Sequence, residues 1–173
     1  VRGSGFVVAL CDHEGYLLKI IGDPDVTDRI RKGNFIPGAC WHEDVSGTNG
    51  VGTVLEIKKP IQVFASEHYS LVSHHWTCSG APIRDPDGVM IGVVDMTGPY
   101  NKTNPHTLGM VAATAHAIEN ALVAERALSL SQVSYYFQKT VIESVPEALI
   151  AFNKENRVEL INDKAKRMLH LWP

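Results

Sequence analysis

The sequence predicts an α+β protein in which a mostly antiparallel sheet of about five or six strands is flanked by helices and followed by one long helix. Pairs of apolar runs lie on either side of short glycine-bearing turns, a pattern typical of β-hairpins. The clearest turn is Asp85–Gly88, in which a proline presets the backbone and a glycine completes the reversal. The chain then contains neither glycine nor proline between Met110 and Val145, which predicts a helix longer than one domain requires.

The first third of the chain predicts a hairpin, a polar loop and a capped helix. The expected elements are strands over Phe6–Cys11 and Tyr16–Ile21, a loop over Asp23–Gly38 with a helical turn at Val26–Arg31, and a helix ending near Lys58. Either Thr48 or Asn49 is expected to cap this helix, and Pro60 to stop it.

Three more strands and the long helix follow. Strands are predicted over Ile61–Ala65, Thr77–Arg84 and Val89–Met96, with a loop or short helix over Ser66–Ser73. Asn104 and Pro105 open the long helix as its cap and first turn. Its apolar stripe is predicted either to pack on the sheet or to pair with a second copy; the stripe consists of Leu108, Val111, Ala115, Ile118 and Leu122.

A change of pattern after Pro146 predicts a further domain. Apolar runs at Ala148–Phe152 and Arg157–Ile161 indicate a second hairpin, after which Asn162 caps a short helix through Leu169. We therefore expect a sensor domain over 1–125, a connector helix over 126–143 and the start of a second domain over 144–173, which the end of the chain at Trp172 and Pro173 truncates.

Composition limits the function. The net charge is −3 and no run of lysine or arginine occurs, so we expect this region to make no nucleic-acid contact. Three widely spaced cysteines do not form a secreted disulfide framework. The first residues lack a signal-peptide pattern and no apolar run reaches the roughly 20 residues that span a bilayer. A cytoplasmic location without membrane association is expected.

Several short motifs occur in a fixed order between Trp41 and Gly98. They are Trp41-His-Glu43, Gly47-Thr-Asn-Gly-Val-Gly-Thr53, Glu67-His68, Trp76-Thr-Cys78, Ala81-Pro-Ile83, Asp85–Gly88 and Gly92-Val-Val-Asp95. Over residues 5–125 the chain resembles the GAF domain of sigma-54-dependent transcriptional activators of the acetoin and dihydroxyacetone type. The segment from Ser144 resembles the opening of a PAS domain.

This resemblance implies a sensory role and no catalysis. Such activators continue into an ATPase and a helix-turn-helix, but this sequence contains no Gly-x-x-x-x-Gly-Lys-Ser/Thr motif to which ATPase activity could be assigned. The expected input is a small-molecule effector, such as a small ketone or diol, or alternatively a partner protein. A homodimer is expected, and no cofactor.

Six residues are predicted to line the effector site: Trp41, Glu43, His68, His74, Trp76 and Cys78. They fall on either side of the predicted helix start at Asn49, and they combine aromatic walls with a few polar groups, as small-ligand pockets require. The alternative for each is a core or surface role. Asp95, a carboxylate within an apolar strand, either holds the fold through hydrogen bonds or contacts the ligand.

Three other interpretations remain open at this stage. The glycines of Gly47–Gly52 could cradle a phosphate, or could serve only a tight helix entry. A metal site could use residues of the set Cys40, His42, His68, His74, His75 and Cys78. Cys78 could act as a reactive thiol in redox sensing or in an enzyme, or could be a buried apolar residue.

Overall fold

A computed structural model describes residues 3–171. The predicted truncation at Trp172 and Pro173 lies outside the described residues. The chain divides into a first unit, residues 1–123, and a second unit, residues 124–173. Among residues 3–171, none of the helices combines the length and apolar character needed to cross a bilayer.

The first unit contains a five-stranded sheet in the order β2-β1-β5-β4-β3. All neighbouring pairs are antiparallel, which confirms the predicted fold class. The strands are β1 (Val7–Asp12), β2 (Leu17–Gly22), β3 (Ile61–Phe64), β4 (Trp76–Arg84) and β5 (Met90–Pro99).

Helices lie on both faces of this sheet. On one face are α1 (Pro24–Arg31), the short α2 (Glu43–Ser46) and α3 (Gly50–Ile57), and on the other is the first half of α4 (Pro105–Ser144). The sequence indicated only a helical turn where α1 lies, and it gave no signal for α2. The α1–α3 face holds the larger core, to which Val7, Leu17, Val54 and Val93 contribute.

The apolar stripe of α4 packs on the sheet. Val111 and Ala115 are buried against Ala81, Ile83 and Val94, with Ile118 partly buried beside them. Burial of this stripe stabilises the fold at roughly 25 cal/mol per Å² of apolar surface removed from water. For Val111, Ala115 and Ile118 the predicted packing on the sheet is therefore confirmed.

In the second unit, α4 leads into a two-stranded antiparallel sheet of β6 (Ile150–Phe152) and β7 (Val158–Ile161), followed by α5 (Asp163–Met168). Asn162, fully buried, caps α5 by accepting from the amide of Ala165, and it also accepts from the amide of Leu149. Its side chain thus joins strand, loop and helix, which explains why an asparagine occupies this position.

Candidate effector site

A cavity of about 30 Å³ lies between the sheet and the α1–α3 layer of the first unit. Six apolar or aromatic residues form most of its wall: Ile30, Phe35, Trp41, Val51, Val72 and Trp76. Six polar residues also reach it: Asn49, His68, Ser73, Cys78, Asp95 and Thr97. Apolar walls with a few convergent polar groups are the usual composition of a small-molecule site.

The aromatic walls are fixed by their own contacts. The rings of Phe35 and Trp41 meet edge to face with centroids 4.9 Å apart. The guanidinium carbon of Arg29 lies 4.9 Å from the centre of the Trp76 ring, a cation–π contact that holds this indole from outside the cavity.

Asn49 positions the start of α3 beside the cavity. Its Oδ1 accepts from the amides of Val51 and Gly52, both at 2.9 Å, which confirms the predicted cap. Its Nδ2 donates to the carbonyls of Trp41, at 2.9 Å, and Gly47, at 2.8 Å. Because the cap occupies these amides, they are not free to cradle a phosphate, and the glycines of this segment serve the tight entry into the helix.

Gly50 allows the helix to approach the sheet closely. A Cβ at this position would lie 2.5 Å from Oδ1 of Asp95 and 2.5 Å from Cβ of Cys78. Asp95 in turn pairs across the sheet with Gly80 on β4 and Ala9 on β1, two residues with little or no side chain. The Asp95 carboxyl therefore sits in a space that small residues leave on three sides.

Four buried side chains form a linear series of polar contacts at the cavity floor. Nδ1 of His68 lies 2.9 Å from the carbonyl of Ala65, and its Nε2 lies 3.3 Å from Sγ of Cys78. That sulfur lies 3.1 Å from Oγ1 of Thr97, which lies 2.5 Å from Oδ2 of Asp95. We call this series, from His68 to Asp95, the polar relay.

Burial controls the protonation of the polar relay. Removal from water raises the pKa of Asp95 to about 7, an effect that the hydrogen bond from Thr97 partly offsets. Burial, reinforced by the neighbouring Asp95, raises the pKa of the Cys78 thiol well above its usual value. Burial also lowers the pKa of His68. At neutral pH the thiol and the imidazole are therefore uncharged.

Two polar atoms of the cavity residues are buried without a hydrogen-bond partner among the described residues: Nε1 of Trp41 and Oδ1 of Asp95. A third such atom, Oγ1 of Thr77, does not belong to the cavity lining. Buried polar groups are nearly always paired, and leaving one unpaired costs roughly 1–3 kcal/mol. The two cavity atoms are therefore available to pair with a small molecule or with water in the cavity.

Of the six residues predicted for the site, Trp41, His68, Trp76 and Cys78 line the cavity and Glu43 and His74 do not. Glu43 accepts from Oγ1 of Thr53 at 3.0 Å. Nε2 of His74 lies 3.1 Å from the carbonyl of His68 and so supports the loop that carries His68. Direct ligand contact by any of the six stays a prediction.

Asp95 and Thr97 are the two members of the polar relay that the predicted set of six omitted. The set also omitted the other lining residues, namely Ile30, Gly33, Phe35, Asn49, Gly50, Val51, Val72 and Ser73. The signal for Asp95 was present, since an ionisable residue within an apolar strand requires an explanation. No local pattern distinguishes Thr97 from an ordinary strand threonine. Its importance arises from the register of β4 and β5, which places it opposite Cys78.

The geometry of the described residues supports neither a metal site nor a reactive thiol. Among residues 3–171, no group of three or more His, Cys, Asp or Glu side chains is arranged to hold a metal ion. Cys78 is buried, and its raised pKa keeps it protonated, whereas nucleophilic or redox-active cysteines depend on an accessible thiolate.

Comparison with known families decides the identity. The N-terminal domain of MimR matches this chain over residues 4–120. The chain belongs to the MimR N-terminal domain family. Its relatives include the acetoin dehydrogenase operon transcriptional activator AcoR of Bacillus subtilis (strain 168), 39% identical over 149 residues, which make up 86% of this chain and 25% of that protein.

Two further relatives have similar descriptions. The acetoin catabolism regulatory protein of Cupriavidus necator is 30% identical over 175 residues, covering 98% of this chain and 26% of that protein. The propane 2-monooxygenase operon transcriptional activator MimR of Mycolicibacterium smegmatis is 29% identical over 117 residues, or 66% of this chain and 20% of that protein. The chain thus spans about a quarter of the length of the curated relatives it matches.

A solved structure shares the fold. The crystal structure of the E. coli DhaR(N)–DhaL complex contains a chain that superposes with a TM-score of 0.88 at 20% identity, covering 96% of this chain and 57% of that one. The family and fold together confirm the predicted resemblance to the sensory region of acetoin- and dihydroxyacetone-type regulators. The relatives are named as regulators of transcription rather than as enzymes.

Proposed function

We propose that this chain is the signal-input region of a cytoplasmic transcriptional activator, and that its cavity binds a small uncharged effector such as a small ketone or diol. One observation carries the proposal: Oδ1 of Asp95 and Nε1 of Trp41 are buried and unpaired in an otherwise largely apolar cavity. An effector oxygen would supply the missing hydrogen bonds. The names of relatives that regulate acetoin and dihydroxyacetone operons support this class of compound.

Cavity size indicates how an effector would enter. A space of about 30 Å³ holds roughly two water molecules. A compound of four carbons is larger, so its binding requires one wall to move. The wall most open to solvent is the loop between β3 and β4, in which Val72 lines the cavity and is 60% exposed. We propose that outward movement of this loop is the primary response to the effector.

Thermal melting of the chain against small ketones and diols tests this function. A compound at 100 times its dissociation constant stabilises the folded chain by about 2.7 kcal/mol, which raises the melting midpoint by roughly 5–10 °C. Trp76→Leu is expected to reduce the shift. Ile21→Ala, an exposed residue on the α4 face of the sheet, is the control and should preserve it. Absence of a saturable shift with every compound would reject a small-molecule input.

A partner protein is the second candidate for the input. The loop between β3 and β4 exposes three apolar side chains close together in sequence: Tyr69 at 79%, Leu71 at 78% and Val72 at 60%. Such clusters mark protein-interaction surfaces. The E. coli structural neighbour was crystallised as a DhaR(N)–DhaL complex, which supports a protein-borne signal in this family.

Site-directed photo-crosslinking in the producing cell tests the second candidate. A crosslinking side chain at Leu71 should give one discrete adduct, and Tyr69→Ser should abolish it. The same crosslinker at Ile21 gives the background. Equal yields from the two positions would reject the loop as a partner surface.

We further propose that the signal passes through a homodimer in which copies of α4 pair beyond the sheet. Exposed apolar residues recur at intervals of three and four on this part of the helix, which places them along one face that a second copy could cover. They are Leu130, Val133, Phe137 and Val141.

A further inference from the structure

The polar relay fixes where its protons lie. Nδ1 of His68 lies 2.9 Å from the carbonyl of Ala65, which only accepts, so Nδ1 carries the proton and Nε2 accepts. The neighbour of Nε2 is Sγ of Cys78, so the thiol must donate its hydrogen there. Oγ1 of Thr97 lies 3.1 Å from the same sulfur, and it donates to Oδ2 of Asp95 at 2.5 Å.

The same contacts leave one oxygen of Asp95 unpaired. Oδ2 accepts from the Thr97 hydroxyl, whereas Oδ1 has no hydrogen-bond partner among the described residues. Asp95 belongs to the cavity lining, so Oδ1 is an acceptor that a ligand can pair. Burial raises the pKa of this carboxyl to about 7, so at pH 6 it is mostly neutral.

We propose that Oδ1 of Asp95 and Nε1 of Trp41 form a recognition pair for an uncharged, hydroxyl-bearing effector, whose hydroxyl donates to Oδ1 while one of its oxygens accepts from the indole. This inference rests on the proposed function, namely that the cavity holds a small-molecule effector. It adds the recognition chemistry: a hydroxyl is required, and a compound offering acceptors alone leaves Oδ1 unpaired.

The surroundings of Asp95 favour an uncharged ligand. Among the described residues, no lysine or arginine lines the cavity, so a carboxylate or phosphate would be buried without a counter-charge. The titratable groups facing Asp95 are Cys78 on β4, Cys11 on β1 and, through the relay, His68. Burial raises the pKa of both thiols and lowers that of the imidazole, so none is charged at neutral pH.

Calorimetric titration of the full chain with four-carbon compounds tests the recognition pair. Butane-2,3-diol, butan-2-ol, butanone and butyrate share a chain length and differ in their oxygen groups. The two alcohols are expected to bind at least tenfold more tightly than butanone, because one unpaired buried acceptor costs about this much. Butyrate is expected not to bind.

Three variants separate the two members of the pair. Trp41→Phe removes the N–H and should weaken diol binding by about tenfold while the preference for the diol over butanone remains. Asp95→Leu should abolish that preference. Asp95→Asn should preserve it at pH 6, because the amide is uncharged like the protonated carboxyl and its oxygen can still accept from the diol. Circular dichroism checks that each variant is folded, and Trp41→Phe serves alone if the Asp95 variants are not.

The possible negative results distinguish failure of the recognition pair from failure of the proposed small-molecule function. Equal affinity for the diol and butanone would overturn the recognition pair and leave the proposed small-molecule function standing. Loss of diol binding in Asp95→Asn at pH 6 would show that binding needs an ionised Asp95, which overturns recognition by the neutral carboxyl. Binding by no member of the series would reject the recognition pair together with the small-molecule function.

Discussion

Replacing Asp95 with asparagine should change how the stability of the first unit depends on pH. Burial raises the pKa of Asp95 in the folded chain to about 7 from an ordinary value of 3.8. Between these values the folded state holds a proton that the unfolded state has released. Stability from the neutral carboxyl is therefore complete below pH 3.8 and is lost as the pH rises through 7.

The size of the effect follows from the difference in pKa. A difference of roughly three units, at 1.36 kcal/mol per unit, amounts to about 4 kcal/mol. Asparagine has the same shape and stays neutral at every pH. The free energy of unfolding of the Asp95→Asn variant, minus that of the wild type, should therefore rise by about 4 kcal/mol between pH 4 and pH 8, with most of the rise complete by pH 7.

Urea unfolding at pH values from 4 to 8.5, followed by tryptophan fluorescence, measures this difference. The lowered pKa of His68 acts in the opposite direction, since it destabilises the fold as the pH falls below 6.5, but it is common to both proteins and cancels. Asp23→Asn is the control. Hydrogen bonds from the amides of Gly3 and Gly5 lower the pKa of Asp23, so its effect should be constant above pH 4.5. A difference for Asp95→Asn that is likewise independent of pH would refute a protonated Asp95.

Three further perturbations have defined outcomes. Gly50→Ala places a Cβ 2.5 Å from Asp95 and should cost about 1–3 kcal/mol in chemical unfolding, whereas Gly109→Ala, with open space around it, should be neutral or slightly stabilising. Asn49→Ala removes the cap of α3 and should cost about 1–2 kcal/mol, measured in the same way. Leu130→Lys should convert a dimer into a monomer in sedimentation, and a wild-type monomer at high concentration would reject the proposed pairing of α4.

Local signals were sufficient to predict most secondary structure. The turn at Asp85–Gly88 could be predicted because it depends on local contacts. Oδ1 of Asp85 accepts from the amides of Asp87 and Val89, an arrangement typical of aspartate at this position. The helix caps could be predicted for the same reason, because each side chain bonds to the helix that immediately follows it. These caps are Asn49, Asn104 and Asn162. By contrast, α2 has four residues, too few for a hydrophobic period to appear.

The site was only partly predictable because its key contacts join residues far apart in the chain. Cys78 and Thr97 meet through the register of β4 and β5, and His68 reaches the sulfur from a loop. No sequence period encodes either contact. Residue type alone was enough to predict that Trp41 and Trp76 line the cavity. The position of Glu43 could not be predicted in this way, because Glu43 belongs to α2 and accepts from Thr53 on α3.

The two candidate inputs depend on the same loop. Val72 lines the cavity from inside, and its neighbours Tyr69 and Leu71 are among the most exposed apolar side chains of the described residues. Under the proposed function, an effector larger than the roughly 30 Å³ cavity displaces this loop, and a partner protein binds the outer surface of the same loop. If both inputs act, they are therefore coupled, and by linkage each changes the affinity of the other by the same factor. A partner that closes the loop over an empty cavity would weaken effector binding, while one that prefers the displaced loop would strengthen it.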